Sequence, residues 1–443
     1  MLIRLIAPEY RSYAGIKETE TLSQRKLTLI YLAALTPEEY DVEIIDGDID
    51  DILYDKEPDL VGISFNSVTM SHAYEIADKY RSLGVTVVMG GFHASLFPEE
   101  ALEHSNAVVV GEAENQWEKL LNDFKKGELK RIYKNNKPIE LKNLPMPRYN
   151  LYKKSDYFKQ FPLFITRGCP YKCNFCCIRS VYGHTFRKRP IDEVIDQIKF
   201  IKENYDDNSP IPLSFSFVDD NVWGDKKYAR ELFEKLIPLK INWYVQGAIL
   251  NLENDLLNLA SESGCNLVFI GFESLIKENL KYLNKSQNEV EKYKEFIEKL
   301  HTANISIGAY FIVGLPFDTK RLFHELYNFM EDNHIELPMI MLYNVIPGTD
   351  SYEKYGFGKL GYNYMIENLP LFTPNGMSKK EFRKNFLDFH RKIFSNESID
   401  KRLKKSQNIA MKYLNKGHQT FYQNEKWDEW IEKAANIEVI NIK

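Results

Sequence analysis

Short apolar runs alternate with helix-like segments along most of the chain, and this alternation restricts its fold more than any other feature. Strands separated by helices of this length predict a parallel, doubly wound sheet in the first part of the chain. Ligands bind such sheets at the carboxyl ends of the strands. The strand and helix candidates there are Leu2–Ala7, Leu27–Leu35, Val42–Asp46, Leu60–Phe65, Ser71–Leu83, Val85–Met89, Pro98–His104, Ala107–Val110 and Asn115–Phe124.

A second series of strand candidates follows a linker that contains several prolines. Amphipathic helices separate these strands, and one of them repeats Ile191, Val194 and Ile198 at helical spacing. Six strand–helix units predict a partial (β/α)6 barrel, whose chemistry lies at the carboxyl ends of its strands. The strand candidates are Leu163–Thr166, Leu213–Val218, Trp243–Ala248, Leu267–Phe272, Ile307–Val313 and Ile340–Val345.

A chain of 443 residues is too long for one ordinary core, so several domains are expected. We predict an α/β protein in which a doubly wound N-terminal sheet of the Rossmann type precedes the partial barrel and a small helical C-terminal domain. The predicted limits are 1–135 for the first sheet, 136–160 for the linker, 161–350 for the barrel and 351–443 for the mostly helical end.

Charge and hydropathy exclude some classes of protein. The formal net charge is −5, so nothing global indicates a nucleic-acid partner. No uninterrupted apolar run reaches about 18 residues, so no transmembrane helix is expected. The chain begins with the strand-like run Met1–Ala7 and lacks the features of a signal peptide. A reducing, cytoplasmic location is the expectation, and clustered cysteines there favour metal or redox chemistry over disulfides.

Three cysteines with the spacing C-x3-C-x2-C follow the first predicted barrel strand: Cys169, Cys173 and Cys176. Three thiolates can hold a [4Fe–4S] cluster and leave one iron open to an external ligand. A structural zinc site needs a fourth protein ligand. Cys177 is adjacent to Cys176 and cannot easily turn to the same metal, and His184 has unconvincing spacing. A zinc or four-ligand site and inert thiols remain the alternatives.

The motif, with Phe175 before its last cysteine, resembles the signature of the radical SAM superfamily. In that family the open iron is chelated by S-adenosylmethionine (SAM). An electron from the cluster cleaves SAM to a 5′-deoxyadenosyl radical, which abstracts hydrogen from a substrate carbon. The resemblance implies SAM contacts from residues near the ends of several barrel strands. These residues are Phe175, Asp219, Glu273, Gly308 and Gly314.

Structural roles compete with some of these assignments. Glu273 belongs to a segment that resembles the family's G-x-E-S, but it could instead form an ion pair with Arg187 or Arg189. In the D-D-N segment, Asp219 or Asn221 could face the cofactor, whereas Asp220 or Asn221 could instead cap the following helix. The aromatic ring at position 175 could be ordinary core packing, and glycines in a strand often mark a bulge.

The N-terminal part resembles the cobalamin-binding domain of cobalamin-dependent radical SAM enzymes. It contains D-L-V-G-I-S, G-G-x-H-A-S and V-G-E in that order. In the predicted barrel, the segment Asn284–Asn288 resembles members related to the hopanoid methylases. No D-x-H-x-x-G is present, so no lower His ligand to cobalt is expected. The resemblance implies cobalamin contacts from small or polar residues at strand ends, namely Gly62, Ser64, Gly90, Gly91, His93, Gly111 and Glu112.

The resemblance as a whole implies cobalamin-dependent methylation of a carbon in a small-molecule, lipid or peptide substrate. It also implies an electron donor such as flavodoxin or ferredoxin. The charged segment Glu9–Lys26 is an unusual floor for a corrin, so the first domain could instead be a relic or a substrate-docking module. Radical cyclisation, rearrangement or oxidation without methyl transfer is one alternative function, and a non-catalytic, metal-stabilised binding protein is another. No catalytic side chain beyond the cofactor contacts is predicted.

Overall fold

The computed structural model describes residues 1–10, 12, 16, 25–152, 160–206, 213–249, 253–285, 287–355 and 369–433. Most of the charged segment Glu9–Lys26, and Ser286 within Asn284–Asn288, lie outside these residues. The chain forms two parallel sheets of six strands each, a two-stranded ribbon between them, and a group of C-terminal helices. The α/β fold class is confirmed. Within the described ranges, no helix is long and apolar enough to cross a membrane.

The first sheet has the strand order β2-β1-β3-β4-β5-β6, with every neighbouring pair parallel. Its strands are β1 (Leu2–Ala7), β2 (Asp41–Asp46), β3 (Leu60–Ser64), β4 (Thr86–Gly90), β5 (Ala107–Val110) and β6 (Ile132–Lys134). Its helices are α1 (Leu27–Leu35), α2 (Met70–Ser82), α3 (Phe92–Leu96), α4 (Pro98–His104) and α5 (Trp117–Lys125). Strand β6 was not predicted, because it is a short edge strand of which only Tyr133 is buried.

The second sheet is the partial barrel, with the order β14-β13-β12-β11-β10-β7. Its strands are β7 (Gln160–Leu163), β10 (Ser214–Phe217), β11 (Asn242–Gly247), β12 (Cys265–Glu273), β13 (Ser306–Val313) and β14 (Leu337–Leu342). Helices accompany it: α6 (Ile178–Tyr182), α7 (Ile191–Tyr205), α8 (Lys226–Leu236), α9 (Asn254–Glu262), α10 (Lys277–Tyr282), α11 (Tyr293–Thr302), α12 (Leu322–Asp332) and α13 (Asp350–Tyr355). Parallel pairing places the carboxyl ends of its strands along one edge, beside the cysteines.

Two strand predictions need correction. The predicted strand Leu163–Thr166 is divided, because the barrel strand ends at Leu163 and Thr166 begins a separate strand, β8 (Thr166–Arg167). That strand pairs antiparallel with β9 (Arg187–Lys188) to form the ribbon. The predicted strand Ile340–Val345 begins three residues earlier, at Leu337. Its Pro338 is tolerated because β14 lies at the edge of the sheet.

The C-terminal helices pack under the barrel and against α12. They are α14 (Lys379–Ile393), α15 (Asn396–Arg402), α16 (Ala410–Tyr422) and α17 (Lys426–Lys433). Met411 of α16 is buried with Leu267 and Leu337, so this helix closes the amino-terminal end of the barrel. Phe382 and Phe386 of α14 are buried as well, and both pack against Phe323.

Candidate functional site

Two cavities meet where the carboxyl ends of the two sheets face each other. The sheet cavity, of about 540 Å³, lies at the ends of β3, β4 and β5. The barrel cavity, of about 600 Å³, is lined by the cysteine loop and the ends of β11 to β14. Asn66, Phe92 and Asp220 line both cavities. A ligand in one cavity is therefore separated from a ligand in the other by single side chains.

The cysteine loop lines the barrel cavity with all three motif thiols, Cys169, Cys173 and Cys176. Backbone hydrogen bonds to two other segments hold the middle of the loop in place. The backbone N–H of Asn174 donates to the carbonyl of Leu283 at 3.1 Å, and the Asn174 carbonyl accepts from the N–H of Ser351 at 3.0 Å. The loop is thus attached to residues on two different sides of the barrel rim.

The cysteines are free thiols. Burial raises the pKa of Cys176 to about 12 and that of Cys177 to about 11, so binding a metal here must displace protons. Among the residues that the structure describes, no three His, Cys, Asp or Glu side chains are arranged to hold a metal ion. His184 is engaged by Arg179, with Nε of the arginine 2.8 Å from Nδ1 of the imidazole.

Glu273 and Lys285 form a buried ion pair in the barrel cavity, with Nζ and Oε1 2.7 Å apart. Burial is the largest single effect and opposes the charge on Lys285, but the Glu273 carboxylate together with Cys173 and Cys176 outweighs it and raises the pKa of the ammonium above its ordinary value. Lys285 also lies 5.8 Å from the centre of the Phe175 ring. The partner of Glu273 is therefore this lysine and neither Arg187 nor Arg189.

Local backbone features place the pair. β12 has an irregular register between Gly271 and Glu273, and Glu273 has a positive φ of 67°. A Cβ on Gly271 would lie 2.3 Å from Oε1 of Glu273 and 3.0 Å from Nζ of Lys285, so a side chain there would displace the charged ends of the pair. The Asn288 amide donates to the carbonyls of Gly271 and Phe272, both at 2.9 Å, and ties the lysine segment to the strand.

The other residues predicted to contact SAM fall into two groups. Phe175 lines the barrel cavity. Gly308 and Gly314 do not line it: a Cβ on Gly308 would meet the ring of Phe269 at 2.4 Å, and Gly314 (φ 80°) turns the chain beside Pro370. Gly308 therefore acts on the cavity wall indirectly, by giving room to Phe269, which does line the cavity.

Asp219 and Asp220 are placed differently, and it is Asp220 that faces the cavities. The Asp219 carboxylate is buried behind the wall and accepts hydrogen bonds from the N–H of Ile165 at 3.0 Å and the hydroxyl of Thr166 at 2.6 Å. Asp220 lines both cavities and accepts from the N–H of Gly168 at 3.1 Å. Burial raises the pKa of Asp220 to about 6, so this carboxyl gains a proton close to neutral pH.

The glycines of the sheet cavity are of two kinds. A Cβ on Gly111 would meet no atom within 4 Å, and one on Gly90 would come no closer than 3.6 Å to Val109. These two positions border open space that a side chain would fill. Gly62 and Gly91 also line the cavity, but their missing side chains make room for Leu5 and for the backbone of Phe65. Ser64 lines the same cavity.

His93 and Glu112 are placed differently from the rest of the predicted cobalamin contacts. His93 is fully buried outside the cavity, with Nδ1 2.9 Å from the hydroxyl of Ser67 and Nε2 3.3 Å from Glu100. Glu112 does line the sheet cavity, but its carboxylate binds Arg167 at 2.7 Å and Arg187 at 2.9 Å. Both side chains thus have partners within the protein.

The sequence reasoning missed Lys285, Asp220 and Arg167 as residues of the site. Lys285 and Asp220 lie in segments that had been singled out, N-K-S-Q-N and D-D-N, and Arg167 lies two residues before Cys169. For Arg167, its position two residues before the first cysteine was the available signal, whereas nothing in the sequence indicated that Lys285 approaches the cysteine loop.

Comparison with known proteins matches a different family to each of the two sheets. Residues 24–121 match the B12 binding domain, and residues 163–330 match the Radical SAM superfamily. A bacteriochlorophyllide d C-12(1)-methyltransferase of Chlorobaculum tepidum is 31% identical over 85% of this chain and 84% of its own length. The chain belongs to the B12-binding radical SAM enzymes. The cofactors of this family are a [4Fe–4S] cluster, SAM and cobalamin.

Two further relatives support the assignment. A hopanoid C-2 methylase of Rhodopseudomonas palustris is 25% identical over 74% of the chain and 63% of its own length, so the resemblance to that branch is confirmed. The radical SAM methyltransferase TsrM of Kitasatospora setae, solved with cobalamin and a [4Fe–4S] cluster, has the same fold. Its TM-score is 0.62 at 16% identity, over 80% of this chain and 78% of that chain.

The residues present fit the three cofactors. Three thiols on one loop, facing one cavity, supply the donor chemistry of an iron–sulfur cluster with an open iron. The paired charges of Glu273 and Lys285 beside the Phe175 ring suit a zwitterionic nucleoside such as SAM. The open glycine positions 90 and 111 leave the sheet cavity a smooth wall, which suits a broad, rigid ligand such as a corrin.

Proposed function

We propose that this chain methylates an unactivated carbon of a small, largely apolar molecule. The observation that carries the proposal is the meeting of the two cavities at Asn66, Phe92 and Asp220. A methyl-carrying cofactor in the sheet cavity and a hydrogen-abstracting centre in the barrel cavity would then act on one substrate from two sides. The bacteriochlorophyllide and hopanoid relatives are both named as enzymes that methylate carbon, which supports the proposed methylation.

The residue assignments belong to the same proposal. Cys169, Cys173 and Cys176 would hold the cluster. Glu273 and Phe175 would orient SAM, and Lys285 would hold the Glu273 carboxylate in position. For cobalamin, the cavity wall is formed by Gly62, Ser64, Gly90, Gly91 and Gly111. The division of the chain at 135, 160 and 350 fits the end of β6, the start of β7 and the start of α13.

When bound, the cluster, SAM and cobalamin supply one-electron cleavage of a carbon–sulfur bond and a transferable methyl group. The chain's own task is to orient these groups and to exclude water. Tyr310, Phe311, Ile312 and Phe269 make an apolar wall for this purpose. The Asp219 carboxylate accepts hydrogen bonds from the backbone N–H groups of Ile165 and Thr166. Asp219 therefore fixes the start of the cysteine loop and would not contact a ligand.

The substrate class follows from the lining of the barrel cavity. Away from the cysteines the lining consists mainly of apolar and aromatic side chains, including Val68, Leu96, Met341, Tyr343 and Ile346. Among the described lining residues Lys285 is the only cation, and Glu273 already pairs with it. A phosphate or other anion at the reacting end of the substrate would find no free positive charge here. We therefore infer an uncharged, apolar reacting end.

Analysis of the products of SAM turnover tests the proposal. The enzyme, loaded with cluster and cobalamin, is reduced and given SAM with a trideuterated methyl group together with apolar candidate substrates. Methylation consumes about two SAM per product and releases both S-adenosylhomocysteine and 5′-deoxyadenosine, with the label in the product. Release of 5′-deoxyadenosine alone would rule out methyl transfer and favour a cyclisation or oxidation.

The ligand set has its own test. Replacing Cys173 with Ala should abolish cluster assembly and 5′-deoxyadenosine release, because two thiolates cannot hold the cluster with one open iron. Cys265→Ala is the matched control, since Cys265 is buried within β12 and does not line either cavity. Iron analysis after anaerobic reconstitution makes the comparison. Full iron content in Cys173→Ala would exclude the assignment.

The reductant and the compartment complete the proposal. A flavodoxin or ferredoxin is a suitable donor for one-electron reduction of such a cluster. Free thiols and an oxygen-sensitive cluster suit the reducing cytoplasm. Reduction of the chain by purified flavodoxin, followed by the visible spectrum under anaerobic conditions, tests the choice of donor.

A further inference from the structure

Four charged side chains with little solvent exposure bridge the N-terminal sheet and the barrel. Glu112 and Glu114 follow β5 of the sheet, whereas Arg167 and Arg187 lie opposite each other in the β8–β9 ribbon. We call these four residues the interdomain clamp. Exposure of their side chains is 5% for Glu112, 7% for Glu114, 12% for Arg167 and 15% for Arg187, so the charges are largely shielded from water.

Arg167 is the centre of the clamp because it binds both carboxylates. Its Nη1 lies 2.7 Å from Oε1 of Glu112, and its Nη2 lies 2.8 Å from Oε1 of Glu114. Arg187 is a second partner of Glu112, with its Nη1 2.9 Å from Oε1 of the glutamate. Such two-pronged contacts use the planar geometry of the guanidinium, which a lysine cannot reproduce.

Neighbouring groups fix both halves of the clamp. On the sheet side, the Tyr31 hydroxyl of α1 donates to Glu114 at 2.8 Å. The Asn135 amide donates to the carbonyls of Glu112 and Glu114 at 2.8 and 3.0 Å. On the barrel side, the guanidinium of Arg167 lies 4.4 Å from the centre of the Phe164 ring. Each half of the clamp therefore has contacts besides the ion pairs that restrict its position.

The clamp borders the sheet cavity and adjoins the cysteine loop along the chain. Glu112, Glu114 and Arg167 all line the sheet cavity. Along the chain, Arg167 is followed by Gly168 and then Cys169. The N–H of Gly168 is bound by Asp220, a residue of both cavities. A displacement of Arg167 would therefore change the wall of the sheet cavity and the root of the cysteine loop together.

We propose that Arg167 is a positioning residue that couples occupancy of the sheet cavity by a corrin to the state of the cysteine loop. The inference rests on the proposed function. A corrin against Glu112 and Glu114 fixes the carboxylates that hold Arg167, and a cluster on the adjacent cysteines fixes its backbone. Because such coupling is reciprocal, each cofactor favours binding of the other.

Hydroxocobalamin titrations of the full chain, followed by visible absorbance under anaerobic conditions, test the coupling. The dissociation constant is measured with the cluster present and after its removal by chelation. For the unmodified protein we expect cobalamin to bind about tenfold more tightly when the cluster is present. In Arg167→Met, and in the charge-preserving Arg167→Lys, this ratio should fall to near one, because neither side chain can bridge both carboxylates.

Lys188→Met is the matched control. Lys188 lies next to Arg187 in the ribbon and pairs with Asp225 at 2.5 Å, but its side chain is 40% exposed and lines neither cavity. The control should keep the tenfold ratio. If Arg167→Met does not fold, Arg167→Lys decides the question in the same titration.

The outcomes separate this inference from the proposed function. An unmodified protein that binds both cofactors with equal cobalamin affinity in the two states overturns the coupling but leaves the function intact. The same holds if Arg167→Lys keeps the ratio and loses only thermal stability, as a plain structural brace would. An unmodified protein that binds no cobalamin at all contradicts the proposed function itself.

Discussion

Lys285 carries a positive charge inside the barrel cavity, where solvent reaches only 9% of its side chain. The charge is tolerable because Glu273 lies 2.7 Å away and the two are desolvated together. Such a pair contributes little net stability when it is intact. It is costly to break, since the remaining charge then stays buried without a partner.

Replacing Lys285 with Met should therefore lower the free energy of unfolding by about 3 kcal/mol. The double variant Lys285→Met, Glu273→Gln should recover most of this loss, because no uncompensated charge remains. Denaturant titrations of the anaerobic protein measure both effects. Lys281→Met, at an exposed lysine near the end of α10, is the control and should leave the midpoint unchanged. Equal loss in the single and double variants would contradict the argument.

The same residues show how far sequence reasoning reaches. The segment with Glu273 could be placed at a strand end from its apolar flank alone, and it does line the cavity. Its partner was expected to be Arg187 or Arg189 and is Lys285, because the choice depends on how separate segments meet in three dimensions. Asp219 and Asp220 are neighbours just after β10, so a one-residue difference decided which of them faces the cavities.

At the scale of elements, the ribbon β8–β9 determines where the cysteine loop begins. Gly168 leaves the ribbon with φ of 90°, and a Cβ there would lie 2.0 Å from the carbonyl oxygen of Thr185. The sequence predicted one strand, Leu163–Thr166, in place of β7 and β8. Apolar patterning cannot show the break, which the hydrogen bonds from Ile165 and Thr166 to Asp219 impose.

Gly168→Ala should open the ribbon and reduce the iron content after reconstitution. Gly127→Ala is the matched control, because Gly127 also has a positive φ, 75°, but no atom lies within 4 Å of the added Cβ. We expect the control to lose about 1 kcal/mol from backbone strain alone and to keep full iron. The Gly168 variant should lose more stability because the backbone must move. Equal behaviour of the two variants in iron analysis would show that the ribbon does not position the loop.

At the scale of the whole molecule, the topology could be predicted from the sequence and the contacts between its parts could not. Alternating strands and helices gave the two parallel sheets and the helical end. Two C-terminal histidines, His390 and His418, illustrate these contacts. His390 lies among aromatic rings with Nδ1 2.7 Å from the carbonyl of Phe386, and His418 stacks on Phe394 at 4.9 Å. Helical spacing alone could not show that the imidazole of His390 is enclosed and that of His418 half-buried.

Stability should depend on these histidines below pH 6.5. Burial lowers the pKa of His390 to about 3 and that of His418 to about 4, whereas in the unfolded chain both titrate near 6.5. Between pH 6.5 and 4 the unfolded state binds more protons, so acidification favours unfolding. The loss is about 1.4 kcal/mol per pH unit for each histidine.

Denaturant titrations between pH 7 and 5 measure this dependence. His390→Gln should make it shallower, since one titrating group is removed. His324→Gln, at an exposed position of α12, should leave the slope unchanged. A slope that is the same in all three proteins would mean that the buried histidines do not titrate on unfolding.

One cofactor analysis decides whether the two cavities hold the two cofactors. The protein is purified without oxygen from cells supplied with cobalamin, and iron, sulfide and corrin are measured per chain. We expect about four iron, about four sulfide and about one corrin, with the corrin visible in the absorbance spectrum. A preparation with a complete cluster but no corrin, even after incubation with excess hydroxocobalamin, would contradict cobalamin-dependent methylation.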